Sequence, residues 1–271
     1  MASRRAVVLA AALVLLGATG CQDSGRDELV LATTTSVQDA GLLDSLLPPF
    51  ERAQRVHVKV IAVGTGAALE MARRRDADVV LVHAPELERR YADDGHLLGG
   101  RLLMRNDFIL VGPRGDSARV RAASSLDEAM RAIAAEGRFV SRGDGSGTEE
   151  RERHHWRAAG IDPDTLGARA ETGQGQGATL FVASERGAYA LTDRATFTVL
   201  APRLDLEIVA EGGSQLVNEY RAYRVPGDDE RVSAHAQAFI DYLVSAEAQE
   251  LIGRFGTARF GRQLFVPASG G

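Results

Sequence analysis

Ser141-Arg142-Gly143-Asp144-Gly145-Ser146-Gly147-Thr148 is a glycine-rich segment that stands between a predicted strand and a predicted helix. Residues 138–140 before it are typical of a short strand, and the charged residues 149–159 after it are predicted to be helical. The first turn of a helix has backbone N–H groups without intrahelical partners, and these groups carry partial positive charge. The order of strand, loop and helix start therefore predicts a set of outward-facing backbone donors.

The side chains of this segment add to those donors. Ser146 and Thr148 supply hydroxyl groups, Arg142 supplies a fixed positive fork, and glycine lets the backbone approach a ligand closely. Together these groups suit a small multivalent oxyanion. A plain turn with an N-capping side chain has a similar composition and stays open as the alternative.

Length and composition indicate a globular protein with one large or two modest domains. The chain has 271 residues, of which 45% are hydrophobic and 25% are charged. Its formal net charge of -5 makes nucleic acid an unsuitable partner, because phosphate contacts require clustered positive charge. A chain with net negative charge can still hold an anion where oriented dipoles converge on one site.

The N-terminus has the pattern of an export signal. Two arginines precede the apolar run 6–16, and Gly17-Ala18-Thr19-Gly20-Cys21 follows it. We therefore predict a signal peptide over residues 1–20, a lipid-modified Cys21 that resembles the cysteine of a bacterial lipobox, and a tether over residues 21–28. Cys21 is the only cysteine, so no intrachain disulfide can form. A plain secreted protein with an incidental cysteine is the alternative.

Small and hydroxyl-bearing residues also follow two other predicted strands. Thr33-Thr34-Thr35-Ser36 follows the strand 28–32, and Gly64-Thr65-Gly66 follows the alternating strand 56–63. Ligands of open α/β sheets bind at the C-terminal ends of the strands, so these turns are candidate donor sites. Ordinary strand ends and helix caps would account for the same hydroxyl residues. The weaker candidates, from these turns and from the glycine-rich turn before residue 178, are Gly64, Gly66, Gln176 and Gly177.

The six histidines do not have the spacing of a metal site, so neither a metal cation nor another cofactor is predicted. His83 follows the predicted strand 77–82, where a local hydrogen bond is a more common role than ligation. Ser146 with Asp144 lacks an assignable histidine base, which argues against a hydrolase of phosphate or sulfate esters. Residues 193–197 are predicted to form a turn, and Trp156 is predicted to lie in the core.

Strands and helices alternate along the chain, which predicts an α/β protein with parallel sheets covered on both faces. The donor-rich turns are spread from Thr33 to Gly177. One sheet edge could gather some of them, whereas the cleft between two α/β lobes would gather all of them.

Several segments resemble the tungstate-binding proteins of bacterial tungstate ABC importers, and the resemblance covers about residues 29–255. The segments are Thr33-Thr34-Thr35-Ser36, Val63-Gly64-Thr65-Gly66, Arg105-Asn106-Asp107-Phe108, the loop 141–148, residues 171–180 and Leu191-Thr192-Asp193-Arg194. The resemblance implies a type II periplasmic-binding-protein fold, in which two α/β lobes are joined by crossing strands and hold the ligand in the cleft. It also implies that residues 29–111 and 211–271 form one lobe and residues 112–210 form the other.

The function implied by this resemblance is capture of tungstate, or of molybdate, and its delivery to the membrane permease of an ABC transporter. Such a protein would be an extracytoplasmic, lipid-anchored monomer and not an enzyme. The implied oxyanion site consists of Thr33, Thr34, Thr35, Ser36, Thr65, Arg142, Ser146, Gly147 and Thr148. Arg142 is expected to make the strongest contact, because a charged donor strengthens a hydrogen bond.

Phosphate is the alternative ligand, because Arg142, Asp144 and Ser146 to Thr148 also resemble the loop of phosphate-binding proteins from phosphate importers. Phosphate near neutral pH keeps a proton and favours an acceptor such as the Asp144 carboxylate. Tungstate and molybdate are fully deprotonated, so a carboxylate facing them would repel. The segment 33–36 and the loop around Gly175 favour the tungstate-binding family.

Three residues depart from the pattern of that family. Arg105 replaces a usual tyrosine, Glu149 replaces a common histidine, and Glu219 replaces a usual proline. None of the three removes a predicted oxyanion donor, but Glu149 places a negative charge near the predicted site.

Overall fold

The computed structural model describes residues 27–167 and 169–268 of the chain. The predicted signal peptide, Cys21 and residues 21–26 of the predicted tether lie outside the described residues. Asp27 and Glu28, the last two residues of that predicted tether, belong to the first strand, so the tether prediction was wrong for them. Within the described residues, no helix combines the length and the apolarity needed to cross a membrane.

Strands and helices alternate through most of the described chain. The strands are β1 (Asp27–Thr34), β2 (Val56–Val63), β3 (Val79–Val82), β4 (Leu98–Gly112), β5 (Phe139–Ser141), β6 (Arg169–Glu171), β7 (Ala190–Asp193), β8 (Glu207–Ala210), β9 (Val217–Arg224) and β10 (Val266–Pro267). The α-helices are α1 (Thr35–Ala40), α2 (Leu43–Gln54), α3 (Thr65–Arg74), α4 (Pro85–Asp93), α5 (Leu126–Glu136), α6 (Gly147–Ala158), α7 (Gln176–Arg186), α8 (Arg194–Leu200), α9 (Glu230–Leu243), α10 (Ala246–Arg254) and α11 (Thr257–Phe260).

The strands form mixed sheets. We call the elements packed around β1, β2, β3, β9 and β10 the first lobe, and those packed around β5 to β8 the second lobe. In the first lobe the strand order is β10-β4-β9-β3-β1-β2, with β1 parallel to β2 and β3, and β9 antiparallel to β3 and β4. The prediction of parallel sheets was wrong for β4, β7, β8, β9 and β10. Apolar alternation indicates which face of a strand is buried, but it carries no information on the direction of the neighbouring strand.

β4 passes from one lobe into the other. Its residues 98–107 pair with β9, and its residues 108–112 pair with β7 and β8. The chain returns to the first lobe through residues 211–216, between β8 and β9. The predicted architecture, two α/β lobes joined by crossing strands, is therefore confirmed, while the predicted lobe boundaries at residues 111 and 211 stay a prediction.

Each lobe buries apolar side chains on both faces of its sheet. In the first lobe, Phe50 of α2 and Phe239 of α9 pack on one face, and Leu69 of α3 packs on the other. In the second lobe, Trp156 of α6 is fully buried as predicted, and Leu180 of α7 packs on the opposite face. Burial of side chains of this size contributes about 1.5–3 kcal/mol each, so these layers hold the loops between them in place.

The segment predicted as a turn at residues 193–197 is the start of a helix. Asp193 ends β7 and caps α8, with its Oδ1 accepting a hydrogen bond of 2.9 Å from the backbone N–H of Thr196. An aspartate is favoured both in turns and at the N-cap of a helix, so this residue type alone did not separate the two structures.

Candidate functional site

Three helices follow strand ends, two of them almost directly and one after a loop, and they bring the hydroxyl-rich segments to one place. α1 starts at Thr35 immediately after β1, and α3 starts at Thr65, one residue after β2. β1 and β2 are parallel and in register from Asp27 opposite Val56 to Thr34 opposite Val63, so their ends coincide. α6 starts at Gly147 in the second lobe, after the loop that follows β5. The N-termini of these three helices, with the N–H groups of their first turns, therefore lie at the boundary between the two lobes. We call this boundary, around Thr35, Thr65 and Gly147, the seam.

Arg142 is buried at this seam, with 1% of its surface exposed. Its Nε and Nη2 donate to Oδ2 of Asp144 at 3.2 and 2.6 Å, and Nη2 also donates to Oγ1 of Thr35 at 3.0 Å. Oδ1 of Asp144 accepts from the backbone N–H of Ser146 at 3.1 Å. Both carboxylate oxygens of Asp144 are therefore used to hold the loop and the guanidinium. Nη1 of Arg142 is buried and has no hydrogen-bond partner in the described part of the chain.

The helix starts of α3 and α6 touch across the seam. The backbone N–H of Gly147 donates to Oγ1 of Thr65 at 3.2 Å, and the N–H of Gly66 donates to the carbonyl of Gly145 at 3.3 Å. A Cβ atom at Gly64 would lie 3.2 Å from the carbonyl oxygen of Asp144, so glycine permits this close approach. The two lobes are therefore in contact around the predicted site.

The hydroxyl groups at the seam are oriented as donors. Thr35 accepts from Arg142, and Thr65 accepts from Gly147, so each hydroxyl keeps its own hydrogen for another acceptor. Ser146 likewise accepts from the backbone N–H of Glu149 at 3.2 Å, as the N-cap of α6. The hydroxyl of Thr148 is buried and has no partner among the described residues.

Thr34 and Ser36 form a second hydroxyl pair beside His83. Oγ1 of Thr34 lies 3.1 Å from Oγ of Ser36, and that Oγ lies 3.4 Å from Nε2 of His83. Burial, reinforced by the positive charge of Arg142, lowers the pKa of His83 to about 3. The imidazole next to the seam is therefore neutral at physiological pH.

Two of the nine predicted site residues use the proposed donor elsewhere. The hydroxyl of Thr33 donates to the carbonyl of Leu81 on β3 at 3.0 Å, so its hydrogen is used within the sheet and is not available at the seam. The N–H of Gly147, predicted as an oxyanion donor, is taken by Thr65. The structure brings six others into the two neighbouring groups described above, Thr34, Thr35, Ser36, Thr65, Arg142 and Ser146, while Thr148 lies buried in the first turn of α6 without a partner among the described residues.

Three of the four weaker candidates, Gly66, Gln176 and Gly177, join the lobes or support the second lobe, and their donor groups are already used. The N–H of Gly66 donates to the carbonyl of Gly145, and the N–H of Gly177 donates to Oδ2 of Asp39 at 3.3 Å. Nε2 of Gln176 donates to the carbonyl of Leu191 at 3.1 Å. The partners of Gly66 and Gly177 lie far away in the sequence, which is why the composition of the turns did not reveal them.

Two contacts at the boundary between the lobes were missed from the sequence. His83 was predicted to make a local hydrogen bond, yet the residue it contacts, Ser36, lies on another strand end. Its position directly after β3, at the same sheet edge as Thr34, was the available signal. Asp144 was considered as a ligand acceptor, whereas it holds Arg142.

The three departures from the family pattern are accommodated away from the seam donors. Oε2 of Glu149 accepts from the backbone N–H of Gly145 at 2.7 Å, and its Oε1 lies 3.8 Å from Nη2 of Arg169. Arg105 and Glu219 contact each other, with Nε 2.9 Å from Oε1. Among the residues that the structure describes, no cluster of three or more histidine, cysteine, aspartate or glutamate side chains could hold a metal ion.

Comparison with known proteins identifies the family to which the chain is similar. A family model described as a PBP superfamily domain matches residues 19–247. The tungstate-binding protein TupA of Peptoclostridium acidaminophilum is 36% identical over 277 residues, which covers 96% of this chain and 96% of that protein.

Two solved structures are similar over nearly their whole length. The crystal structure of the tungstate ABC transporter from Geobacter sulfurreducens is 41% identical with a TM-score of 0.75, and the match covers 83% of this chain and 97% of that chain. The tungstate binding protein TupA from Desulfovibrio alaskensis G20 is 37% identical with a TM-score of 0.71, over 89% of this chain and 98% of that chain. The chain therefore belongs to the PBP superfamily and, within it, to the family of the tungstate-binding TupA proteins, as the resemblance of its motifs implied.

Proposed function

We propose that this chain is an extracytoplasmic solute-binding protein that captures tungstate, or molybdate, between its two lobes and delivers it to the permease of an ABC transporter. Relatives that match nearly the whole chain are named for tungstate binding. The proposal includes a lipid anchor at Cys21, a monomeric state and no enzymatic activity.

The observation that carries this proposal is a pair of buried donors without partners. Nη1 of Arg142 and Oγ1 of Thr148 are buried, and neither has a hydrogen-bond partner among the described residues. More than about 90% of buried polar groups in native proteins are paired, and each unpaired group costs about 1–3 kcal/mol. An anion that accepts from both groups would remove that cost and would gain a charge-assisted hydrogen bond.

The arrangement of Asp144 favours a fully deprotonated anion over phosphate. Its two carboxylate oxygens already accept from Arg142 and from the backbone N–H of Ser146. The hydroxyls of Thr35 and Thr65 are oriented as donors by the groups that donate to them. A protonated oxyanion such as hydrogen phosphate also needs an acceptor, and three of the about four acceptor positions of the Asp144 carboxylate are already taken, whereas tungstate and molybdate need donors alone.

Contacts from both lobes would couple binding to closure. Thr35 and Thr65 belong to the first lobe, and Arg142 and Thr148 belong to the second. A ligand that contacts both sets gains its full interaction free energy only when the lobes are together, so it shifts the population toward the closed form. The closed form would then be the one that docks on the permease.

Isothermal titration calorimetry tests the proposal on the chain carrying Cys21→Ser, which removes the proposed lipidation site. We expect one saturable site for tungstate and for molybdate, and much weaker binding of sulfate and phosphate. Arg142→Ala should lose at least ~2 kcal/mol of tungstate binding, or about 30-fold in affinity. Arg101→Ala, at an exposed position on β4, is the matched control and should bind like the parent.

Two results would contradict this assignment. Tighter binding of phosphate than of tungstate would favour the alternative, a phosphate-binding protein of a phosphate importer. Unchanged affinity in Arg142→Ala would remove this guanidinium from the site.

A further inference from the structure

His83 is fixed in the seam by groups from both lobes. It follows β3, is 3% exposed, and its ring lies 4.8 Å from the ring of Tyr220 and 6.1 Å from that of Phe108. Gly147, the first residue of α6, packs against it so closely that a Cβ there would lie 3.1 Å from the carbonyl oxygen of His83 and 3.2 Å from Nδ1. The imidazole is therefore held in one orientation by packing.

The surroundings of the two ring nitrogens indicate where the proton resides. Nε2 lies 3.4 Å from Oγ of Ser36, while Nδ1 is buried and has no partner in the described residues. A buried acceptor without a partner is more common in proteins than a buried N–H without one. This preference favours a proton on Nε2, donated to Ser36, over a proton on Nδ1, although the side chain of Asn218 is a further neighbour of the ring.

Donation from His83 sets the direction of the hydroxyl pair. Once Oγ of Ser36 accepts from Nε2, its own hydrogen can be donated either to Oγ1 of Thr34, 3.1 Å away, or to a ligand. In the first case the hydrogen of Thr34 becomes the free one. In both cases the pair ends in a hydroxyl hydrogen that is available to an acceptor, and the Tyr220 hydroxyl, a further neighbour of Ser36, already accepts from Nδ2 of Asn218 at 2.9 Å.

We propose that His83 is a positioning residue for anion selection: as the neutral Nε2–H tautomer it donates to Ser36 and keeps the Thr34–Ser36 pair oriented as donors toward the oxyanion. This inference rests on the function proposed above. A pair fixed as donors stabilises an oxyanion without protons and offers no acceptor to a protonated one. The contribution of His83 is thus to selectivity as well as to affinity.

The charged and titratable groups around His83 keep it neutral. Arg142 faces it from the loop after β5 and Arg151 from α6, while Tyr220 packs from β9. His83 also lines a pocket of about 130 Å³, whose titratable lining groups are Glu86, Glu150, Arg151 and His154. Because two guanidiniums and burial oppose protonation, the orientation should persist between about pH 6 and pH 8.

The opposing possibility is that His83 binds the anion as an imidazolium. In that case tungstate affinity would rise as the pH falls, because the charged form would be the ligand. If His83 is instead a neutral positioning residue, its contribution to tungstate affinity is constant over the same pH range. The two possibilities are therefore separated by a pH profile.

The test is calorimetric titration with sodium tungstate and with inorganic phosphate at pH 6, 7 and 8, on the Cys21→Ser chain and its variants. His83→Gln keeps an N–H donor near the position of Nε2, and His83→Leu removes it. We expect His83→Leu to lose about tenfold or more in tungstate affinity and to narrow the preference for tungstate over phosphate, whereas His83→Gln stays within about threefold of the parent. His57→Gln, on the exposed face of β2, is the matched control.

A second measurement observes the tautomer of the histidine ring directly in the parent chain. Nitrogen-15 spectra of the histidine rings of the parent chain should show the signals of one buried ring with its proton on Nε2 from pH 6 to pH 8. The signals of this ring should be absent from the spectrum of His83→Gln, which assigns them to His83. A proton on Nδ1 of the His83 ring, an imidazolium signal from that ring, unchanged affinity in His83→Leu, or a rise in tungstate affinity toward pH 6 that His83→Gln abolishes would each overturn the inference. Failure of the parent chain to bind either metal oxyanion would overturn the proposed function and this inference with it.

Discussion

Arg105 on β4 and Glu219 on β9 lie directly opposite each other in the antiparallel pair, with Nε 2.9 Å from Oε1. Oε2 of Glu219 also lies 2.7 Å from Nη2 of Arg221. Both residues depart from the family pattern, in which tyrosine and proline are usual. The two departures thus form one cross-strand ion pair next to the point where β4 crosses between the lobes.

We expect this ion pair to contribute to stability only slightly. The side chains of Arg105 and Glu219 are 38% and 27% exposed, so solvent screens their attraction. A double-mutant cycle with Arg105→Ala and Glu219→Ala should give a coupling free energy of about 0.5 kcal/mol in urea unfolding. Tungstate affinity should remain within about twofold in all variants, and a tenfold loss would indicate that the pair acts on the hinge.

The buried hydroxyl of Thr148 should contribute directly to anion binding. Thr148→Val preserves the shape of the side chain and removes the donor, so we expect a loss of about 1–2 kcal/mol in tungstate binding. Thr148→Ser keeps the hydroxyl and should stay within about threefold of the parent. Calorimetry measures both, and equal affinities of the valine and serine variants would show that this hydroxyl faces another partner.

The contribution of the two buried histidines, His83 and His155, to the stability of the ligand-free protein should fall as the pH falls below about 6.5. Burial, with Arg142 as the next cause, lowers the pKa of His83 to about 3, and burial, followed by Arg151, lowers the pKa of His155 to about 4. A histidine with a lower pKa in the folded protein stabilises the fold above its unfolded pKa and loses this contribution on acidification. The expected loss is about 1.4 kcal/mol per pH unit for each histidine below about pH 6.5.

Urea unfolding without oxyanion at pH 7.5, 6.5 and 5.5 measures this slope. The variant His83→Gln has one such histidine fewer, so its stability should decline less steeply than that of the parent. Parallel pH profiles for parent and variant would show that His83 is charged or solvated in the folded protein.

The sequence was informative about each segment taken alone. The alternating residues of β2 and an N-capping side chain in the loop 141–148 follow from local rules, and both are found in the structure, with Ser146 as the cap. The loop 141–148 was predicted as a turn before a helix start, and α6 begins at Gly147. Local periodicity and capping preferences suffice for these features because their partners lie within a few residues.

The pairing of donors with acceptors could not be predicted in the same way. Gly147 and Thr65 are 82 residues apart in the chain, and Gly177 and Asp39 are 138 apart. A segment rich in hydroxyl and glycine residues predicts which hydrogen-bond donors are present. Only the packing of the two lobes determines which of these donors bond to other groups of the protein. For the same reason the ion pair of Arg105 with Glu219 appeared in the sequence as two unrelated departures.

The loop that carries Arg142 should depend on a buried carboxylate, that of Glu152 on α6. Its Oε2 accepts from the hydroxyl of Ser141 at 2.6 Å, and its Oε1 accepts from Nε of Arg169 at 3.0 Å and from Nε1 of Trp156 at 3.2 Å. These bonds tie α6 to β5 and β6. The loop that carries Arg142 lies between β5 and α6 in the chain.

Removing this carboxylate leaves three donors unpaired in a buried region, so Glu152→Ala should lower the free energy of unfolding by about 3 kcal/mol. Glu152→Gln keeps an acceptor and should cost less, while Glu185→Ala, at an exposed position of α7, should change stability by less than about 0.5 kcal/mol. Urea unfolding ranks the three variants. If Glu152→Ala were as stable as Glu185→Ala, Arg142 would have to be held in place by Asp144 and Thr35 without support from α6.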